Sequence, residues 1–214
     1  MIKICKQSIV LTACIYFSLP TLVISQTQNQ ARKHLEAISQ PNAQVSVDKF
    51  SVCSQYGCKK VESLSLTKKE WLELTNDFNV AVNSPYYERM LIAIYIGKME
   101  KIVGRHTNTQ FDKGGTFPLF FKIKNVTSNQ MDCIDESANT LTYLRILKSE
   151  GMLKMHEVIG LVTRGGIFAG YPHTAVLITE KISKEKYVID SWFLDNGRPA
   201  EIVPYSEWKA GWKP

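Results

Sequence analysis

Three residues carry the chemistry this chain could perform. Cys133 stands in Asp132-Cys133-Ile134-Asp135-Glu136, His173 opens the apolar run Thr174-Ala175-Val176-Leu177-Ile178, and Asp190 closes Tyr187-Val188-Ile189. A thiol, an imidazole and a carboxylate in that chain order can serve as nucleophile, base and orienting group for attack on a carbonyl carbon. The Cys133 backbone amide, with the side chain of Gln130 or Asn129 just upstream, would stabilise the oxyanion. Each residue also has a purely structural reading: Cys133 as a buried small hydrophobe, His173 as the cap of a strand, Asp190 as an acceptor for turn amides. His34, His106 and His156 compete for the base role, but none of them opens a hydrophobic run so clearly.

Cys133 is also the odd cysteine. Cys53 and Cys58 enclose Ser54-Gln55-Tyr56-Gly57, a length that suits a tight loop closed by a disulfide. With no second cysteine pair and no histidine close in sequence, zinc is the weaker reading. The first residues explain why a disulfide is expected. Lys3 and Lys6 precede an uncharged stretch from Ser8 to Ser25, Val23 and Ser25 are acceptable at a cleavage site, and the chain turns polar at Gln26-Thr27-Gln28-Asn29. Residues 1–25 are therefore expected to be a signal peptide and the mature chain to start near Gln26, in a periplasmic or otherwise exported protein. Two other readings stay open: a retained membrane anchor facing the periplasm, and a lipoprotein box at Leu11-Thr12-Ala13-Cys14. Only this segment points to a membrane.

The formal charge of the whole chain is +6, and two of those charges are Lys3 and Lys6. The basic residues form no long run and no aromatic-interleaved motif, so nucleic acid is not an expected partner. Residues 26–214 suit one domain with a single core.

The elements that must position the three residues follow from local signals. A short helix is expected around residues 31–39, and extended segments near 45–52 and 61–66. Thr67-Lys68-Lys69-Glu70 reads as a capping box for a helix reaching about Asn83, and Ser84-Pro85 starts a second helix with the apolar face Met90, Leu91, Ile94, Ile102 and Val103. Residues 104–129, with Gly114-Gly115 and several phenylalanines, are expected to be a packed irregular loop forming one wall of a cleft. Asp132 should cap a helix running to Glu150-Gly151, which sets Cys133 in the first turn, where aligned amides favour a thiolate. Strands are expected over 158–163, 174–178, 187–189 and 202–203, joined by turns at Gly165-Gly166, Ser183-Lys184-Glu185 and Asp195-Asn196-Gly197. Antiparallel pairing would bring His173 and Asp190 to one end of a hairpin. Strand alternation would send Trp192 to the face of Asp190, where its ring, with Gly165 and Gly166, would line a substrate cleft.

Cys133-x-Asp135-x-Ser137, the following helix, His173-Thr-Ala-Val-Leu and Tyr187-Val-Ile-Asp190 resemble the transglutaminase-like superfamily, and more closely its bacterial cysteine-peptidase branch. The resemblance spans Gln130 to about Gly197. It implies an α+β fold with a papain-like or transglutaminase-like core, the catalytic helix packed on an antiparallel β-sheet, and an N-terminal helical part. It further implies an exported thiol hydrolase acting on protein or cell-wall peptide through a thioester; a transamidase and a non-catalytic peptide-binding module are the alternatives. No cofactor is required by this chemistry. Asp132 and Asp135 are weak candidates for calcium, and Ile134 stands where the peptidase branch often has Glu.

Overall fold

The computed structural model describes residues 20–40, 43–79, 81–117, 129–165 and 172–214. The expected signal segment up to residue 19, Gly166 and the phenylalanines beyond Phe117 in the irregular loop lie outside them. The chain is mixed α+β.

Helix α1 (Pro20–Ser39) begins inside the stretch read as an export signal and continues through the expected mature start near Gln26. Among the described residues no helix is long and apolar enough to cross a membrane. Strands β1 (Phe50–Ser54) and β2 (Lys60–Leu64) form an antiparallel hairpin. Of the extended segment expected over 45–52, only the last residues join the strand; Ser46 and Lys49 close a small bridge before it.

Thr67 caps α2 (Lys68–Thr75): its side chain accepts the Glu70 amide at 3.2 Å while Glu70 Oε2 accepts the Thr67 amide at 2.8 Å. The helix stops well before Asn83. Thr75 donates its hydroxyl to Trp71 O at 2.8 Å, and Asn76–Asn79 tightens into a 3₁₀ turn, as short polar side chains that bond nearby backbone disfavour a longer helix. Ser84 caps α3 (Pro85–Thr107), with Pro85 in the first turn as expected. This helix runs past Gly104 and ends at Asn108, whose φ of 61° supplies the left-handed residue that closes it.

Helix α4 (Cys133–Ser149) is almost wholly buried. It packs on one side against β1 and on the other against the four-stranded antiparallel sheet β3 (His156–Arg164), β4 (His173–Glu180), β5 (Lys186–Asp190) and β6 (Glu201–Pro204), which follow in that spatial order. Its apolar residues Leu141, Leu144, Ile146 and Leu147 join Ile92, Ile96 and Met99 of α3 and Val176, Ile178 and Ile189 of the sheet in one core. Burying side chains of this size contributes roughly 1.5–3 kcal/mol each, and this core fixes α4 over the strands. The chain closes with α5 (Tyr205–Lys209), which covers β5 and β6 and buries Trp208 completely.

Candidate active site

The first turn of α4 is held by reciprocal carboxylates. Asp132 Oδ1 accepts the amides of Ile134 and Asp135 at 3.0 and 3.1 Å, and Asp135 Oδ2 accepts the Asp132 amide at 3.1 Å. An Asp at this cap position is worth about 1 kcal/mol, and it sets Cys133 as the first helical residue.

Asp135 does more than close this box. Its Oδ2 also accepts the Tyr56 amide and its Oδ1 the Cys58 amide, both at 2.7 Å, so the helix start is tied to the loop between β1 and β2. That loop is closed by the Cys53–Cys58 disulfide, as its spacing predicts, with the Cα atoms 4.6 Å apart. Gln55, Tyr56, Gly57 and Cys58 all have φ between 61° and 71°. Consecutive left-handed residues are unfavourable without a ligand for their converging amides, and the Asp135 carboxylate is that ligand here. Burial and Asp132 push Asp135 up to about 8, against the amides that favour its charge. Asn139, one turn further, accepts the Cys53 amide at 2.7 Å and donates to Cys53 O at 3.0 Å. With both Asp135 oxygens and Asp132 Oδ1 turned toward N–H donors, the pair does not fit calcium, which needs oxygens free to converge on the ion.

Cys133 is half-buried, and the backbone amide of Thr174, the residue after His173, favours its charged form. Burial pushes the thiol up to about 11; the Thr174 amide opposes this and the charges of Asp132 and Asp190 add to it. Asp132 is expected from the sequence to oppose the thiolate that the helix terminus favours, and burial and Asp190 add to that opposition. Desolvation and two nearby carboxylates outweigh the end of the helix.

His173 begins β4 and pairs in register with Arg164. Its Nε2 lies 2.6 Å from Asp190 Oδ2, at the end of the neighbouring strand. The antiparallel hairpin thus brings the two together. Aromatic rings enclose the imidazole: Trp192 at 4.8 Å, Phe193 at 5.2 Å and Trp208 at 5.8 Å between centroids. Asp190 is 1% exposed and its Oδ1 has no partner among the described residues.

Trp192 reaches His173 by a route other than strand alternation. Strand β5 ends at Asp190, and Trp192 sits in the turn that follows, its indole donating to Thr116 O at 2.6 Å and its carbonyl accepting the Gly115 amide at 2.6 Å. The glycine pair explains how the loop before α4 comes so close. A Cβ at Gly114 would collide with the carbonyl of Phe193, so only glycine fits between the loop and this turn.

Gln130 does not aim its side chain at the thiol. Its Nε2 donates to Phe111 O at 3.1 Å and its Oε1 accepts the Lys113 amide at 3.0 Å, which braces the same loop. Asn129 is half-buried in the turn just before it, and Gly165 follows the last residue of β3 with φ at 74°. The other histidines lie elsewhere: His106 against Glu70 at 3.1 Å, His156 buried against Glu88 at 2.7 Å, and His34 on α1 beside the disulfide.

Three residues of this site have no signal in the spacing of the sequence. Trp208, near the C-terminus, donates its indole proton to Asp190 Oδ2 at 2.7 Å. Arg164 holds that indole from behind: its guanidinium lies 4.6 Å over the ring and donates to the carbonyls of Trp208 and Trp212. Ser191 donates to Glu136 Oε2 at 2.7 Å and lies 3.1 Å from Thr140 Oγ1, so the residue after Asp190 is pinned to α4. No family model matches this chain, and neither does any curated protein or solved structure.

Proposed function

We propose that the chain is an exported thiol hydrolase that cleaves a peptide or amide bond with Cys133 as nucleophile, His173 as base and then acid, and Asp190 as the group that orients the imidazole. The observation that carries this reading is the junction of α4 with the β4–β5 hairpin. There the Thr174 amide acts on the Cys133 thiol from the start of β4, while the adjacent His173 holds its Nε2 2.6 Å from Asp190 Oδ2. The Cys133 proton passes to His173 as the sulfur adds to the carbonyl carbon. The backbone amide of Cys133 supports the oxyanion, and the imidazolium then protonates the leaving amine to give a thioester. Water activated by the same imidazole returns the free thiol. The resemblance of these motifs to transglutaminase-like cysteine peptidases agrees with the assignment, and protein or cell-wall peptide is the substrate class proposed for an exported enzyme.

Transamidation is the second reading. His173 is only 8% exposed and walled by indoles, and such surroundings can exclude water in favour of an amine acceptor. One experiment separates the two. The protein is incubated with exported proteins, cell-wall peptides and a biotinylated primary amine. Fragments that disappear in Cys133→Ser, without amine incorporation, are the expected result; Cys133-dependent incorporation of biotin overturns hydrolysis in favour of transfer. Neither product from any substrate, in a chain shown to be folded by a cooperative melting transition, removes the catalytic assignment.

A further inference from the structure

The fold carries His34 from α1 to the disulfide of the β1–β2 hairpin. One imidazole nitrogen of His34 and the sulfurs of Cys53 and Cys58 all lie within 4.8 Å of one another. The two cysteines are buried, and His34 Nε2 is enclosed without a hydrogen-bond partner among the described residues. A buried ring nitrogen with no partner forfeits its hydration, which is costly unless something else meets it. Burial lowers the pKa of His34, and the neutral imidazole so favoured is the form that ligates metals. The four residues between Cys53 and Cys58 fall within the spacing found for paired zinc thiolates.

We propose that, in its dithiol form, the chain binds one zinc-class divalent cation through Cys53, Cys58 and His34, leaving a fourth position for water. The sulfurs of a disulfide are closer together than two thiolates on one tetrahedral ion, so the cation and the disulfide are mutually exclusive occupants of the same place. A newly made chain presents the site before oxidation. In an oxidised chain a dithiol reductant opens it: the S–S bond breaks, each sulfur gains a proton, and the reductant leaves as its own disulfide. Binding then releases both thiol protons and forms two metal–sulfur bonds and one metal–nitrogen bond. The ion does for the loop at residues 54–57 what the disulfide does, since it closes the same two ends. Asp135 can then keep its two amides, and the start of α4 stays anchored with either staple.

The test uses the full chain with Cys5, Cys14 and Cys133 changed to Ser, reduced anaerobically with a phosphine and titrated with Co²⁺, whose colour reports thiolate ligation. The expected result is one equivalent bound with intense sulfur-to-cobalt absorption, none in the oxidised chain, and a melting temperature raised by Zn²⁺ in the reduced chain alone. His34→Gln should weaken binding by at least the roughly 10–100-fold that a lost outer-shell partner costs. In the chain that keeps His34, ¹⁵N signals of its ring should shift on adding Zn²⁺, a readout that does not depend on the variant folding. Absence of cobalt absorption in the reduced chain, unchanged affinity in His34→Gln, or unmoved His34 nitrogens would each overturn the proposal.

Discussion

Trp208 donates its indole proton to the same Asp190 oxygen that lies against His173, at 2.7 Å from one side and 2.6 Å from the other. A carboxylate oxygen held by two donors cannot swing away from either. The rotamer of Asp190, and through it the plane of the imidazole, is set by a residue of the C-terminal helix.

Trp208→Phe should therefore loosen the pair without emptying the core. A hydrogen bond to a charged acceptor contributes about 1.5–3 kcal/mol, and a loss of that order is expected in thermal unfolding. The diagnostic readout is the proton on His173 Nε2. Its NMR resonance should move upfield and broaden in Trp208→Phe, and an unaltered resonance would reduce Trp208 to a packing residue.

The Cys133 thiol, pushed up to about 11 by burial, should be protonated at rest across the physiological range. Alkylation by iodoacetamide is expected to rise with pH toward that value, because only the thiolate reacts. A rate plateau below neutral pH would instead reveal a preformed thiolate–imidazolium pair. His173→Ala separates the two by abolishing such a plateau and leaving the alkaline rise.

Glu136 is buried beside Ser191, and burial, with Asp112 close by, pushes it from 4.5 to about 8. The folded chain thus holds this proton more tightly than the unfolded chain. Its contribution to stability is full below about pH 4.5 and is lost as pH rises toward about 8. Asp112, pushed up to about 7 by burial, acts in the same direction. Glu136→Gln keeps an acceptor for Ser191 and removes the titration. It should melt like the parent at pH 5 and higher than the parent at pH 9, by on the order of 1–3 kcal/mol. Equal melting curves at both pH values would contradict the assignment.

Asp135→Ala removes the acceptor of three backbone amides, those of Tyr56, Cys58 and Asp132. With each buried donor left unsatisfied costing about 1–3 kcal/mol, a loss of at least 3 kcal/mol is expected from denaturant titration. Asp135→Asn, which keeps one acceptor oxygen, should fall between. A change below 1 kcal/mol in Asp135→Ala would show that water replaces the carboxylate.

The cap at Asp132, the disulfide spacing and the four strands of the sheet were legible because each is announced by neighbours in sequence: a carboxylate three residues before another, two cysteines around a glycine turn, alternating apolar runs. The meeting of His173 with Asp190 was legible too, as the consequence of a short antiparallel connection. What escaped were effects that depend on distant segments. The thiol's raised pKa is chiefly a desolvation effect of what packs over α4, and only the share that comes from neighbouring Asp132 is written in the local sequence. Trp208, Arg164 and Ser191 reach their partners only through the tertiary fold. Gln130 and Asp135 have the right chemistry for oxyanion or calcium work, but their polar atoms are spent on backbone amides and carbonyls that the sequence does not bring near them.

The left-handed run from Gln55 to Cys58 has a kinetic corollary. Its amides find their acceptor 77 to 79 positions away in sequence, so the hairpin tip cannot reach its final form until α4 has docked. Hydrogen exchange at Tyr56 and Cys58 should then proceed with the same opening free energy as at Ile134 and Asp135, although the two segments belong to different elements. The tip of a surface hairpin, ordinarily among the first places to fray, would behave as part of the slowest-exchanging unit of the molecule.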